Sequence, residues 1–131
     1  MIYLEREQQK RLVSAARRAH PREACGLLFA PIDGPGRLEL IPTASTRNTP
    51  LSFRIRAREI ARFRGEREAV GERLVGCFHS HLLSRPRPSL ADAAGARRLG
   101  GLWLIYSLRW ERAELFHWNG AAFEKRPLQL L

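Results

Sequence analysis

The stretch Leu74–Asp92, LVGCFHSHLLSRPRPSLAD, changes character twice. LVGCFHSH (74–81) is an apolar run that predicts a strand. LLSRPRP (82–88) carries the Ser, Arg and Pro content of a loop, and a helix is expected to begin near Ser89. In an extended strand, side chains at i and i+2 emerge on the same face about 6.5–7 Å apart at the backbone, so His79 and His81 are within reach of one cation. Asp92, in the first turn of the expected helix, can supply a third donor after the loop folds back. Two nitrogens and one oxygen leave a fourth tetrahedral position for water, the arrangement of a catalytic rather than a structural zinc. A simpler reading exists for each residue alone: Ser89 and Asp92 match a capping box, and the histidines can be half-exposed strand residues. Their joint occurrence favours metal. The chain has only two aspartates, and one falls where a ligand is needed.

Upstream, EREQQKRLVSAARRAH (5–20) places Leu12, Ala15, Ala16 and Ala19 at helical spacing until Pro21 forbids continuation. EACGLLFA (23–30) and RLELIP (37–42), separated by turn-rich PIDGPG, predict a strand hairpin. TASTRNTPLS (43–52) reads as a loop. AREIARFRGEREAVGER (57–73) predicts a second helix with Ile60, Phe63 and Val70 facing one way, weakened by Gly65. Downstream, LWLIYSL (102–108) and AELFHW (113–118) predict strands, and Asn119-Gly120 a hairpin turn into AAFEKR (121–126). The tail PLQLL (127–131) carries no pattern. Without repeat, linker or low-complexity tract, residues 1–131 are expected to form one α/β domain, a mixed β-sheet flanked by helices.

At 131 residues and 44% hydrophobic, the chain can bury a real core. No apolar run has the length of a membrane span, and the N-terminus becomes charged at once, so neither signal peptide nor anchor is expected and the cytoplasm is the default address. The net charge of +10 comes almost wholly from arginine, since Lys10 and Lys125 are the lysines. Such a field attracts acidic proteins or nucleic acid. The arginines are spread from Arg6 to Arg126 and no aromatic-rich motif accompanies them, so nucleic acid is the less favoured partner.

A hydrolytic zinc site also needs a carboxylate outside the metal's own ligands to take a proton from water. Glu23, where the first helix has ended and the strand begins, is the candidate base. A solvated glutamate at the start of a strand is the simpler reading of that position.

His79-Ser80-His81, seven residues, Ser89, two residues and Asp92 together resemble the H-S/T-H-x7-S-x-x-D signature of the JAMM (MPN-plus) zinc metallopeptidases. HPREACGLL (20–28) is similar to the family's glutamate segment, and RNTPLSF (47–53) to its Asn-to-Phe loop. The resemblance runs from about residue 2 to 118. It implies a cytidine-deaminase-like α/β fold, Zn2+ on His79, His81 and Asp92, Glu23 as general acid/base, and Ser89 assisting at the oxyanion. The implied reaction is hydrolysis of an amide or isopeptide bond, with no cysteine nucleophile. The family usually has proline after the second histidine, where this chain has Leu82. No long insertions are present, so the chain resembles compact prokaryotic members, several of which act on ubiquitin-like or sulfur-carrier proteins ending in Gly-Gly.

If Glu23 and His79 approach one metal from neighbouring antiparallel strands, Cys25 and Cys77 should lie near one another behind the site. They are expected to be buried and reduced, without a disulfide. Two other functions stay open: a non-catalytic binding or scaffold module of the same fold with a basic surface, and a hydrolase of small peptide conjugates. His20 and His117 have no assigned role.

Overall fold

The computed structural model describes residues 1–34, 36–45 and 53–131. Residues 46–52, which include most of RNTPLSF and of the loop expected at 43–52, lie outside the described residues. In chain order the elements are β1 (Tyr3–Leu4), α1 (Arg6–Ala19), β2 (Cys25–Pro31), β3 (Glu39–Thr43), α2 (Ala57–Glu68), β4 (Glu72–His81), α3 (Leu90–Leu99), β5 (Leu102–Ser107), β6 (Arg112–Trp118), β7 (Phe123–Arg126) and β8 (Gln129–Leu130). The described helices include none long and apolar enough to cross a membrane.

Six strands form one mixed sheet in the order β3-β2-β4-β5-β6-β7. Only the β4–β5 pair is parallel, joined by the crossover through α3, and the other four pairings are antiparallel. The expected hairpins of β2 with β3 and of β6 with β7 are present. Alternation along the strands divides the core between two faces. Leu28, Leu40, Phe78, Leu104 and Leu115 pack with Leu12 and Ala16 of α1. Cys25, Leu27 and Phe29 gather on the other face with Ile60 and Phe63 of α2, while Cys77, Trp103 and Ile105 meet Ala96 of α3. Each fully buried large side chain contributes on the order of 1.5–3 kcal/mol.

Three details differ from the sequence expectation. Helix α2 ends at Glu68, and Val70 is exposed in the turn that follows, where Gly71 takes a positive φ and Glu72 already begins β4. Arg67 explains the early strand start, since its guanidinium donates to Glu72 at 2.6 Å and to Glu39 at 2.8 Å and ties the helix end to the sheet. The β6–β7 turn spans four residues, because the Asn119 side chain accepts from the N–H groups of Ala121 and Ala122. The tail is also structured: Gln129 and Leu130 pair in parallel with Tyr3 and Leu4.

At Gly76 β4 lies so close to β5 that a Cβ would run into the Leu102 backbone. Gly76→Ala is therefore expected to lower stability by about 1–3 kcal/mol. Chemical unfolding checks this, and an unchanged midpoint would mean that the strands part there without cost.

Candidate metal centre

β4 ends in His79-Ser80-His81, and the two histidines project from the same face. Both are buried, His79 completely. The chain then loops back so that α3 starts with Ser89 as its N-cap. Ser89 Oγ accepts from the Asp92 N–H at 3.1 Å, and the Ser89 N–H donates to Asp92 Oδ2 at 2.8 Å, a reciprocal capping box. The cap that the sequence offers as a simpler explanation is present, and it also holds the Asp92 carboxylate against the histidines.

The donor atoms converge. His79 Nε2 lies 3.2 Å from His81 Nε2 and 2.9 Å from Asp92 Oδ1, and His81 Nε2 lies 3.3 Å from Asp92 Oδ2. A tetrahedral cation with ligands at 2.0–2.1 Å separates its donors by ~3.3 Å, and these contacts, made by different Asp92 oxygens to the two histidines, are close to that spacing. His81 Nδ1 donates to the Arg85 carbonyl at 2.9 Å, so that in the neutral ring the lone pair falls on Nε2, the nitrogen facing Asp92.

Glu23 sits just before β2, which runs antiparallel to β4 with Cys25 opposite His79. Its carboxylate is only 6% exposed, and Oε1 stands 4.0 Å from His81 Nε2. Glu23, His79 and His81 also form a possible metal-binding group, with donor atoms within 4.8 Å of one another. The 4.0 Å separation of Glu23 from His81 is longer than the 2.9 and 3.3 Å contacts that Asp92 makes with the two histidines. Glu23 Oε2 is buried with no hydrogen-bond partner among the described residues, as is His79 Nδ1.

The charges follow from this packing. Burial, only partly offset by His81 and reinforced by Asp92, pushes the Glu23 carboxyl up to about 7. Burial opposes ionisation of Asp92 as well, but the hydrogen bonds from His79 and His81 outweigh it and hold that carboxyl well below the usual range. Burial also lowers the pKa of His79. For His81 the bonds to Asp92 and to the Arg85 carbonyl overcome burial and raise it.

Behind the site, Cys25 and Cys77 are buried free thiols on neighbouring strands, opposite His79 and Leu27 respectively. Burial pushes Cys25 up to about 11 and raises Cys77 further above its ordinary value. Neither is prepared as a nucleophile.

Residues 5–119 match the family described as prokaryotic homologs of the JAB domain. The chain belongs to this family. It is 31% identical over 96 residues to a desampylase of Pyrococcus furiosus and 32% identical over 99 residues to the CysO-cysteine peptidase of Mycobacterium tuberculosis. These matches cover 73% and 75% of the chain and 65% and 67% of the relatives, so the alignment spans about two thirds of their length. Among solved structures, a protein of Desulfitobacterium hafniense superposes with a TM-score of 0.87 at 29% identity, covering 100% of this chain and 93% of that one. A JAB1/MPN domain protein from Archaeoglobus fulgidus gives 0.66 at 21% identity, over 99% of this chain and 97% of that one, a likeness of fold alone.

Three residues of this JAB-domain site have no assigned role in the sequence reading. Phe53 stacks on the His79 ring with centroids 4.7 Å apart, and Trp103 meets the same ring edge-on at 5.5 Å. They hold His79 between two aromatic walls. Trp103 lies in an ordinary apolar strand, and only the β4–β5 register, which pairs it with Cys77, brings it here. Ser80 faces away from the histidines, and its Oγ accepts from the Ala24 N–H at 2.8 Å. This bond joins the strand of the histidines to the segment carrying Glu23. Ser80→Ala is expected to leave that buried N–H unpaired and to lower stability by about 1–3 kcal/mol, with Ser80→Thr tolerated better. Thermal unfolding of the two variants distinguishes them, and equal stability of Ser80→Ala and wild type would remove the role of the bond.

Proposed function

We propose that the protein is a zinc-dependent metallopeptidase or isopeptidase, with His79, His81 and Asp92 as metal ligands, Glu23 as general acid/base and Ser89 assisting at the oxyanion. The observation that carries this reading is the set of 2.9–3.3 Å contacts among His79, His81 and Asp92 beside the buried Glu23 carboxylate, whose Oε2 has no hydrogen-bond partner among the described residues. Zinc held there would supply Lewis-acid polarisation of water and of the scissile carbonyl.

The chain's own groups do the rest. Glu23, with proton affinity near neutrality, takes a proton from the attacking water and returns it to the leaving nitrogen, so that amide and water become carboxylate and amine. The Ser89 oxygen accepts from Asp92 N–H, which leaves the hydroxyl proton free to donate toward developing negative charge. The aromatic walls at His79 keep one flank of the site dry. No thiol takes part.

The desampylase and CysO-cysteine peptidase relatives support a substrate of the ubiquitin-like or sulfur-carrier protein class; cleavage at a C-terminal Gly-Gly tail and a cytoplasmic address belong to the proposal itself. An open cleft of about 1020 Å³ between α1 and the end of β3 reaches Glu23. Lys10, Arg18 and Arg22 line it, and a protein substrate can approach there. The same basic cleft favours a second reading, a binding module for an acidic protein. Retained binding with steep salt dependence, but no cleavage by the zinc-loaded protein, would support that alternative.

Metal content is the first test. Protein reconstituted with zinc and freed of excess should retain one equivalent per chain, removable by a chelator. Failure to retain zinc would contradict the proposed ligand set.

A further inference from the structure

The His81 imidazole is oriented by a carbonyl that sits on an exposed loop. Its Nδ1–H donates to Arg85 O at 2.9 Å, yet Leu83, Ser84 and Arg85 are all exposed. That carbonyl belongs to the peptide bond of buried Pro86 and also accepts from the Arg87 N–H at 2.7 Å, while the outer side of the loop is held by further contacts.

The β5–β6 turn lies against this loop. Its Leu108 N–H donates to His81 O at 2.9 Å and its Arg109 N–H to Leu82 O at 3.2 Å, continuing the β4–β5 pairing past the end of the strand. The Arg85 guanidinium then lies over the Trp110 ring, 4.4 Å from its centroid. Trp110 is itself tied down, because its N–H donates at 3.2 Å to Oγ of Ser107, a fully buried residue paired with His81 in the sheet. The contacts close a circuit from His81 through Ser107, Trp110 and Arg85 back to the His81 ring.

We propose that Trp110 is a positioning residue: by stacking on Arg85 it fixes the loop carbonyl that sets the tautomer and orientation of His81. The indole is 49% exposed and is not a residue of the buried core. Removing it loosens the loop and leaves the donor triangle chemically complete. Without the fixed carbonyl, His81 exchanges its two ring nitrogens and presents a lone pair at Nε2 only part of the time. The proposal rests on His81 being a metal ligand, but its effect on the ring exists in the metal-free protein as well.

The test uses the full chain with Trp110→Ala, Trp110→Phe, Arg85→Ala and the double alanine variant. Zinc affinity is measured by competition with a chromophoric chelator, and the His81 ring ¹⁵N shifts are measured in metal-free protein. Trp110→Ala and Arg85→Ala should each weaken zinc binding by about three- to tenfold. The double variant should lose no more than either single one, since both act through one contact. Trp110→Phe should keep most of the affinity. In the metal-free wild type Nδ1 should carry a proton hydrogen-bonded to the Arg85 carbonyl, and Trp110→Ala should show that bond weakened. Wild-type affinity and an unchanged Nδ1 hydrogen bond in Trp110→Ala would overturn the proposal, as would fully additive losses; an indole serving only as surface for a partner gives the former. A wild type that binds no zinc would contradict the metal site instead, and the ring shifts would still decide the role of Trp110.

Discussion

Glu23→Gln is expected to lower kcat by about 10²–10⁴-fold while zinc content stays at one equivalent. Glutamine fills the same volume, so the packing around a side chain that is 6% exposed survives. What is lost is the ability to take up and return a proton, which the carboxyl is suited to do because burial has moved it to about 7. Zinc should remain, because Glu23 stands 4.0 Å from His81 Nε2, outside the tighter triangle that Asp92 completes. Steady-state turnover and elemental analysis of the same preparation check both halves. Unimpaired turnover would remove the acid/base role, and loss of zinc would instead move Glu23 among the ligands.

Asp92 separates two functions of one side chain. Asp92→Ala removes the oxygen donor and dismantles the capping box, so zinc affinity should fall by more than the roughly 100-fold that accompanies loss of a supporting partner. About 1 kcal/mol of stability should go with the cap. Asp92→Asn retains an oxygen that can accept from the Ser89 N–H, so it should keep most of the stability but bind zinc poorly, and activity should follow the metal. Chelator competition and chemical unfolding measure the two effects separately. Wild-type zinc affinity in Asp92→Asn would show that the carboxylate charge is not needed for the metal.

The parts of the site that were legible in the sequence are local. The period-two placement of His79 and His81, the Ser and Pro content of the loop, and the Ser89–Asp92 cap are each specified within a few residues, and the structure assembles them as that pattern requires. Glu23 was harder, because its nearness to His81 depends on the β2–β4 register, and a register is a property of two distant strands. Trp103 and Ser80 are likewise unremarkable in their own segments and gain meaning only from a strand neighbour. The tail strand was unreadable, since Gln129 and Leu130 take their partners from the opposite end of the chain. The apolar period of α2 runs past the helix because Val70 continues it, although Gly71 turns the chain out of it.

The most direct measurement is the intact mass of the products when zinc-reconstituted protein is incubated with a ubiquitin-like protein joined through its C-terminal Gly-Gly to a peptide. Hydrolysis immediately after the Gly-Gly, blocked by a chelator and restored by zinc, is the expected result. An intact conjugate in the presence of protein that demonstrably carries one zinc at His79, His81 and Asp92 would contradict the proposed function.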